Sequence, residues 1–453
     1  MAEAELTEAR IPDSGIRDLF TRDARWQSWL DVEVALARAE AEIGMIPVAA
    51  ADEIARKAKL ELLDSARIIE GLRITGHDLV PLIWDLDRVC DGDAGGFVHW
   101  GATTQNITQT GVVLQVRAAH GIILELVAQL LRQFADLADR TKDDALPGRT
   151  HGQHAVPSTF GAKVAVWIDE LCRHVERFQD AEHRVFVAML GGGAGSAASF
   201  EGNGAQLQIR MGELLGLGFM PLPGRTILDH LVEYVMLIAL LDTTCGRIAR
   251  EIRELMKEEF GEVEEPVPPG SVGSSTMPQK RNPKLCQDII AQETQVRALV
   301  PLAMEAMLSD HEADGSRAVM LNRSLIPALE LTGEVLVRMN KLFEGLQVFP
   351  ERMRQNLDLS GGLIMSESLM LALGRELGRQ HAHDTIYDAA QEAAVSGGSF
   401  ADLIERNSEI QQYLEPAQIK LLLDPISYTG DSAAQATEQA ARARAVADTI
   451  VSF

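Results

Sequence analysis

Apolar residues recur along this 453-residue chain mostly at helical spacing. Runs in which apolar and polar residues alternate, as they do in half-buried strands, are scarce. Residues 17–44 show the helical pattern clearly, and it ends at the turn residues Met45, Ile46 and Pro47. The apolar residues that carry the pattern are Leu30, Val32, Val34, Ala35, Leu36 and Ala39. The sequence therefore predicts an all-α fold.

Three further segments are unusually long: residues 110–143, 226–260 and 283–308. At about 1.5 Å per residue, each spans tens of ångströms as a helix. The run LVEYVMLIALL within the second segment is apolar on every side, so it needs packing partners in several directions. We expect these segments to form a central bundle that continues into an oligomer interface. A monomeric bundle is the alternative.

The chain divides by pattern into three regions. Residues 1–109 are predicted to be an N-terminal helical domain, and residues 110–350 the central bundle of long helices. After Pro350 the helical segments become shorter and are interrupted by turn residues such as Gly397, Gly398 and Pro425. We therefore expect residues 351–453 to form a small C-terminal helical domain.

The formal net charge is −24 at pH 7. Nonspecific binding to nucleic acids or to anionic membranes depends on Lys and Arg, so this charge argues against both. The hydrophobic fraction of 46% and the charged fraction of 24% are those of an ordinary soluble globular protein. An anionic substrate of such a protein needs a local basic site.

Neither a metal site nor a membrane segment is indicated. The N-terminal residues are acidic and lack an apolar core, and no uninterrupted apolar run reaches membrane-spanning length. The cysteines are widely scattered and lack zinc-type spacing, which is typical of buried thiols in a reducing compartment. They are Cys90, Cys172, Cys245 and Cys286. We expect a cytoplasmic protein.

The segment GSSTMPQKRNP, residues 273–283, combines a hydroxyl, a cation and an amide in a loop bounded by Gly and Pro. A hydroxyl accepts a proton only if its own negative charge is stabilised, and backbone N–H groups with an ammonium supply that stabilisation. Ser274, Lys280 and Asn282 are therefore candidates for removing a proton next to a carboxylate. A surface loop is the alternative, because Gly, Ser, Pro and Asn also favour turns.

Two other stretches carry candidate chemistry. Residues 99–106 place hydroxyls and amides before a predicted helix, where free N–H groups and the positive end of the helix dipole favour a carboxylate. A plain N-cap is the alternative. In residues 148–154, His151 lies between hydroxyl and amide groups and is a candidate proton donor near neutral pH. The glycine-rich residues 191–195 do not fit a phosphate loop and predict a tight connection beside the site.

These three stretches resemble known signatures. Residues 273–283 are similar to the GSSxMPxKxNP signature of the fumarase/aspartase superfamily. Residues 99–104 and 149–153 resemble its other two regions, H-x-G-x-T-S and R-T-H-x-Q, in the same order, and the likeness extends over nearly the whole chain. The resemblance implies a homotetramer with one long helical bundle, active sites each built from three subunits, and β-elimination on a dicarboxylate without a cofactor.

The resemblance also implies roles for single residues. Ser274 would remove the Cβ proton, Lys280 and Asn282 would stabilise the resulting aci-carboxylate, and His151 would be the acid. Thr103 and Thr104 would hold a substrate carboxylate. The full set of substrate-binding candidates is His77, His99, Thr103, Thr104, Gln105, Thr150, Gln153, Ser275 and Met277.

The branch within the superfamily is harder to assign. The first and last segments resemble the 3-carboxy-cis,cis-muconate cycloisomerase group, whereas His77 and His151 resemble adenylosuccinate lyase. Both groups tend to have Q-R-D-R where this chain has Ile-Leu-Asp-His at residues 227–230. They also tend to have H-E-R where this chain has His-Glu-Ala, with Ala313 in place of the arginine. Candidates to replace the lost cations are Arg225, Arg317 and Arg323. Thr104 and Asn106 also replace the usual Ser and Asp.

We expect a cofactor-independent lyase that breaks a carbon–nitrogen or carbon–oxygen bond in a succinyl-type or small dicarboxylate substrate and releases fumarate or a similar product. The first alternative is a 3-carboxy-cis,cis-muconate cycloisomerase. The second is a helical scaffold without catalytic activity, derived from the same superfamily.

Overall fold

A computed structural model of the protein describes residues 11–268, 270 and 272–450. Most of these residues are helical, as expected of an all-α fold. The helices are α1 (Ile16–Leu19), α2 (Arg22–Glu42), α3 (Val48–Lys57), α4 (Ser65–Thr75), α5 (Val80–Val89), α6 (Thr104–Arg140), α7 (Phe160–Val185), α8 (Gly204–Leu215), α9 (Asp229–Leu255), α10 (Lys284–Glu305), α11 (Gly315–Glu344), α12 (Pro350–Asp358), α13 (Ser366–Leu377), α14 (Arg379–Ser396), α15 (Phe400–Arg406), α16 (Pro416–Leu422) and α17 (Ser432–Thr449).

The described strands are few and short, and form three two-stranded sheets. β1 (Ala145–Thr150) pairs antiparallel with β2 (Gln153–Thr159), with an irregularity between Pro147 and Arg149. The other pairs are two residues long on each side: β3 (Val187–Ala188) with β4 (Gly218–Phe219), and β5 (Val263–Glu264) with β6 (Gln347–Val348). Only the β1–β2 hairpin is long enough to project a turn from the bundle.

The helices expected from periodicity are present, one of them is interrupted, and two further long helices, α7 and α11, were not predicted. The predicted helix over residues 17–44 is divided between α1 and α2, because Thr21 caps the start of α2 by accepting a hydrogen bond from Ala24 N. The three long segments form α6, α9 and α10. Helix α10 contains Pro301 and helix α11 contains Pro327, and neither proline ends its helix.

The central bundle consists of α6, α7, α9, α10, α11 and the C-terminal α17. Its core holds an aromatic cluster in which the Phe134 ring meets Phe343 edge-on at 4.5 Å between centroids, with Trp167 at 5.8 Å from Phe134. Helix α6 satisfies the length and composition of a membrane span, but 61% of its most apolar window is buried inside the protein. It therefore has the character of a core helix.

The C-terminal part of the chain packs in two places. A second hydrophobic core lies within residues 369–419 and includes Leu373, Phe400 and Ile410. Helix α17 instead lies against α6 and α7, where a stripe of small side chains allows close approach. Its buried residues are Ser432, Ala436, Ala440, Ala443 and Ala447. The division of the chain into three domains stays a prediction.

Candidate functional site

The N-terminus of α6 forms the first part of the site, which we call the carboxylate cradle (residues 103–105). Thr103, Thr104 and Gln105 are half-buried there, at the positive end of a 37-residue helix. Asn106 is fully buried, and its Oδ1 accepts hydrogen bonds from Thr103 N at 3.0 Å and Gly192 N at 3.1 Å. Asn106 therefore fixes the loops around the cradle.

His77 lies against the cradle. Its Nδ1 accepts hydrogen bonds from Leu79 N at 3.3 Å and Val80 N at 3.2 Å. A neutral imidazole has one acceptor and one donor nitrogen, so its proton lies on Nε2. Nε2 is 3.3 Å from Thr104 Oγ1 and donates to it. The Thr104 hydroxyl hydrogen is then left for another acceptor.

His99 is bound by a buried acid. Its Nδ1 lies 2.7 Å from Oε1 of Glu33, a fully buried residue of α2, and its backbone is left-handed with φ of 62°. Burial alone would lower the pKa of His99, but the hydrogen bond and charge of Glu33 outweigh it and raise the pKa. The predicted role of His99 in substrate binding stays untested, and its visible role is to join α2 to the loop before α6.

Arg225 is a cation in direct contact with the cradle. Its Nε donates to Gln105 Oε1 at 3.0 Å, its Nη1 donates to Gly193 O at 2.6 Å, and its carbonyl accepts from Gln105 Nε2 at 2.7 Å. The glycine-rich residues 191–195 are therefore a tight connection beside the site, as predicted. Arg225 thus fixes the Gln105 side chain.

A cavity of about 510 Å³ opens beside the cradle. Thr104 and Gln105 line it together with two of the three arginines predicted to replace the family's cations, Arg225 and Arg317, whereas Arg323 is not in its wall. Sequence reasoning missed other lining residues of α2, namely Arg22, Arg25, Trp26 and Trp29. Their spacing of three and four places them on one face of a helix, which is the signal that would have found them.

The signature loop (residues 273–283) holds Ser274 as a half-buried acceptor. Its Oγ accepts hydrogen bonds from Met277 N at 3.1 Å and Thr276 N at 3.4 Å. Donors directed at an oxygen stabilise negative charge on it. The backbone therefore provides two of the donors that an alkoxide at Ser274 requires. Ser275 and Met277 are exposed.

Asn282 and Lys280 lie at the far side of the loop. Asn282 Nδ2 donates to Gly273 O at 2.6 Å, which ties the two ends of the loop together. A Cβ at Gly273 would lie 2.2 Å from Lys280 O, so only glycine fits there. The Lys280 side chain is exposed. Ser274, Lys280 and Asn282 thus lie on one loop, with Asn282 bound to its backbone, and their part in proton removal stays a prediction.

His151 lies at the turn of the β1–β2 hairpin. It is exposed, as are Thr150 and Gln153, and its backbone is left-handed with φ of 52°. The turn therefore presents all three predicted residues to the outside of the chain. His154 is half-buried below them, and burial, aided by the charge of Arg149, lowers its pKa. His154 is thus the less suitable proton donor near neutral pH.

Arg149 anchors the base of the hairpin. Its Nη2 and Nη1 donate to the two carboxylate oxygens of Glu262 at 2.6 and 3.1 Å, and its guanidinium lies 4.7 Å from the centre of the Phe260 ring. Glu262 is fully buried and also accepts from Asn356 Nδ2 at 2.7 Å. This bidentate pair fixes the hairpin to the segment that follows α9.

The segment at residues 262–265 connects the hairpin to the signature loop. Glu262 binds Arg149 in the hairpin, whereas Glu265 accepts hydrogen bonds from Leu285 N at 3.0 Å and Cys286 N at 2.7 Å, just after the loop. Glu264 adds an ion pair with Arg281 at 3.4 Å. The hairpin turn and the signature loop therefore lie at the same end of the bundle.

The carboxylate cradle lies at the other end. Helix α6 starts at the cradle, and its 37 residues are about 55 Å long before the chain enters the hairpin. Helix α9 starts just after Arg225, and its 27 residues, about 40 Å, lead to Glu262. Both routes place the cradle tens of ångströms from the hairpin and the loop. One chain does not bring Ser274 or His151 to Thr104.

Comparisons with known proteins identify the family of the chain. A family model described as lyase matches residues 8–298, and one described as the adenylosuccinate lyase C-terminus matches residues 362–438. The chain is 37% identical to N-acetyl-S-(2-succino)cysteine lyase of Enterococcus italicus, over 92% of this chain and 91% of that protein. It is 36% identical to adenylosuccinate lyase of Methanothermobacter thermautotrophicus, over 94% and 95% respectively.

A solved structure is similar over the whole molecule. The 3-carboxy-cis,cis-muconate lactonizing enzyme of Pseudomonas putida superposes with a TM-score of 0.88 at 31% identity, covering 98% of this chain and 99% of that one. The fold is thus that of this enzyme class. The chain belongs to the fumarase/aspartase superfamily and is a lyase-type enzyme.

Proposed function

We propose that this enzyme is a cofactor-independent lyase that eliminates a leaving group from a 2-substituted succinate and releases fumarate or a fumarate-like product. The observation that carries the proposal is the position of Ser274, whose Oγ accepts two backbone N–H groups within the signature loop. An oxygen so placed is stabilised as an alkoxide and is suited to remove a weakly acidic proton next to a carboxylate.

The reaction proceeds by general acid and base catalysis. Ser274 takes the Cβ proton, and the electron pair left on carbon is delocalised into the adjacent carboxylate, where Lys280 and Asn282 stabilise it. The double bond then forms as the bond to the leaving atom breaks. That atom takes a proton from His151, and Thr103 and Thr104 hold a substrate carboxylate at the start of α6.

Binding at the cradle involves the wider set of predicted residues. His77 orients Thr104, and Gln105 is oriented by Arg225. In this proposal, the subunits that provide the hairpin turn and the signature loop also contact the substrate through exposed residues. They are Thr150, Gln153, Ser275 and Met277.

The leaving group is not a nucleotide in this proposal. His230 stands where both related groups carry an arginine, and burial lowers its pKa to about 4, so it is uncharged at neutral pH. Leu228 and Ala313, at the other two altered positions, line the cavity without charge. We expect a leaving nitrogen or oxygen. The name of the Enterococcus relative describes a succinyl group on sulfur and adds sulfur to this set.

The working form is a homotetramer with shared sites. The cradle and the signature loop of one chain lie at opposite ends of the bundle, so a site that contains both takes them from different subunits. Helix α9 supports this assembly because Met236 and Leu240 are 44% and 50% exposed on it, as expected of a face that packs against another copy.

The reverse reaction tests the function. The enzyme is incubated with fumarate and, separately, with a panel of amines, alcohols and thiols, and adducts are detected by mass spectrometry. We expect 2-substituted succinates from one chemical class, and none from the Ser274→Ala variant, whose fold is checked by circular dichroism. Adduct formation by the variant at most of the wild-type rate would overturn the role of Ser274.

A cycloisomerase is the second candidate, favoured by the whole-chain similarity to the muconate lactonizing enzyme. It is weakened by His151, which resembles the acid of adenylosuccinate lyase rather than the cycloisomerase group. Supplying 3-carboxy-cis,cis-muconate and following lactone formation separates the two activities. A chain that produces neither adducts nor lactone would be a scaffold without catalytic activity.

A further inference from the structure

The bonds within the signature loop fix its shape but not its place on the bundle. Ser274 Oγ is bound by backbone N–H groups of the same loop, and Asn282 Nδ2 donates to Gly273 O. Lys284 Nζ, just after the loop, donates at 2.9 Å to Val272 O, just before it. The loop is therefore closed on itself, and the position of Ser274 depends on what holds the base of the loop.

Glu265 holds that base from a segment outside the loop. It is 4% exposed, and its two carboxylate oxygens accept hydrogen bonds from Leu285 N at 3.0 Å and Cys286 N at 2.7 Å. These N–H groups belong to the first turn of α10, which directly follows the signature loop. Pro283, at the start of α10, provides no side-chain cap. Glu265 therefore caps α10 from a distance and binds both donors with one side chain.

An exposed ion pair also joins the loop to this segment. Arg281 Nε lies 3.4 Å from Glu264 Oε1, and the Arg281 side chain is 55% exposed. Exposed pairs of this kind contribute little to stability, because water and salt screen them. Among the described residues, the buried contact of Glu265 is thus the stronger of these two links.

The ionised carboxylate of Glu265 is costly in this place. Burial raises its pKa, which means that its surroundings disfavour the charged form. A glutamine would avoid that cost, but its side chain has one acceptor oxygen and a nitrogen that cannot accept a hydrogen bond. A carboxylate, by contrast, binds the two neighbouring N–H groups with separate oxygens. This two-point contact fixes the first turn of α10 in orientation as well as in distance.

We infer that Glu265 is a positioning residue for proton removal: by holding the first turn of α10, it places the signature loop so that Ser274 Oγ reaches the Cβ proton of the substrate. The inference rests on the proposed function and adds to it a residue that acts through the loop. A catalytic group displaced by about 1 Å costs up to about 100-fold in rate, so a small shift at the base of the loop is enough to slow the reaction.

Hydrogen exchange tests the anchoring without a substrate. Glu265→Gln keeps the size of the side chain and removes one acceptor, whereas Glu265→Asp keeps both acceptors and withdraws them by one methylene. In the full-length enzyme, we expect Glu265→Gln to speed amide exchange about tenfold in peptides that cover residues 273–287, as for loss of one hydrogen bond to a charged group. Glu265→Asp should have a smaller effect. Peptides of the β1–β2 hairpin, which is anchored by Glu262, should exchange at the wild-type rate in both variants.

Kinetics test the consequence for proton removal. On the 2-substituted succinate identified by the adduct panel, Glu265→Gln should lower kcat about tenfold or more. It should also raise the primary deuterium isotope effect measured when the Cβ hydrogens are replaced by deuterium. A misplaced base slows proton transfer relative to binding and product release, so that this step comes to limit the rate. A variant that is only partly unfolded would instead have fewer active molecules, with the KM and the isotope effect of the wild type.

Glu259→Gln is the matched control. It makes the same charge change at an exposed position on the same stretch of chain, and should alter neither exchange in the loop nor the isotope effect. If Glu265→Gln exchanges at the wild-type rate in the loop, or loses activity without a larger isotope effect, the inference is overturned. Faster exchange over the whole chain would also overturn it, because Glu265 would then stabilise the fold in general. If Glu265→Gln does not fold, the same criteria apply to Glu265→Asp.

The outcomes also separate the two proposals. If the wild type is active and Glu265→Gln shows neither effect, the lyase function stands and the positioning role is rejected. If the wild type forms no adduct with any nucleophile, the proposed function fails and the role of Glu265 in proton removal fails with it. The exchange experiment still decides whether Glu265 holds the loop.

Discussion

His77 Nε2 lies 3.3 Å from Thr104 Oγ1, and the two backbone N–H groups bound to His77 Nδ1 make Nε2 the donor of this contact. A short sequence of hydrogen bonds therefore sets the direction of the Thr104 hydroxyl. The backbone orients the ring, and the ring occupies a lone pair of Oγ1, so the Thr104 hydrogen points to another acceptor. At the start of α6 that acceptor is the substrate carboxylate of the proposed reaction.

Substitution of His77 by Ala should lower kcat/KM by about 10- to 100-fold, since Thr104 loses the partner that orients it. Thr104→Val should have an effect of similar size. Because both act through one contact, the double variant should lose little more than Thr104→Val alone. Steady-state kinetics on the substrate identified by the adduct panel measures all three. Fully additive losses would show that the two residues act independently.

The anchor of the hairpin provides a stability prediction. Arg149→Met leaves the carboxylate of Glu262 buried without its cation, which typically costs about 3 to 5 kcal/mol. We therefore expect a large drop in the midpoint of thermal unfolding, compared at one protein concentration.

The matched control for this prediction is the double variant Arg149→Met with Glu262→Gln. It removes the unpaired charge and keeps the oxygen that Asn356 binds, so it should recover part of the loss. Equal midpoints for the single and double variants would contradict a role of the buried charge.

The parts of the site that lie close together in sequence could be predicted, and the relations between them could not. Helical periodicity indicated α6, α9 and α10, and the loop around Ser274 was evident from its residue types. The pairing of Arg149 with Glu262 crosses 113 residues and depends on how α9 ends against the hairpin. No local pattern encodes such a contact, because it results from tertiary packing.

The cavity was missed for the same reason. The spacing of Arg25 and Trp29 on one face of α2 is a local signal, but the cavity that this face borders forms only when α2 is packed against α6. Helix α11 was not predicted, and it forms despite its internal Pro327 because its buried face packs against α6, α9 and α10.

Glu40 predicts a dependence of stability on pH. It is fully buried with both carboxylate oxygens unpartnered among the described residues, and burial, followed by the charge of Glu33, raises its pKa from 4.5 to about 8. The unfolded chain ionises near pH 4.5 and the folded chain near pH 8, so the folded state binds more protons between them. The contribution of Glu40 to the free energy of unfolding is greatest below pH 4.5 and decreases as the pH rises to 8.

Glu40→Gln removes this titration. Relative to the variant, the wild type should lose roughly 3 to 5 kcal/mol between pH 4.5 and 8, at about 1.4 kcal/mol per pKa unit. Unfolding by urea across that pH range measures it. Glu61→Gln, at an exposed position, is the control and should differ from wild type by a constant amount. If the free energy of unfolding of Glu40→Gln also differed from that of the wild type by a constant amount, Glu40 would not be buried in its protonated form.

The separation of the cradle from the signature loop predicts complementation between inactive chains. Thr104→Val removes the hydroxyl at one end of the bundle, and Ser274→Ala removes the base at the other. Each homo-oligomer should have little activity. If a site takes Thr104 and Ser274 from different subunits, random mixing of the two chains in equal amounts restores about a quarter of the sites, since each position is intact half of the time.

The measurement uses the two variants mixed in denaturant and refolded together, with activity compared with refolded wild type. Ser274→Ala mixed with Lys280→Met is the matched control, because both residues lie on the same loop and no loop in that mixture carries both intact. It should stay inactive. If the Thr104→Val and Ser274→Ala mixture also stays inactive while the refolded wild type recovers, Thr104 and Ser274 do not meet across subunits. The distance between the cradle and the signature loop would then mean that the cradle does not bind the substrate on which Ser274 acts.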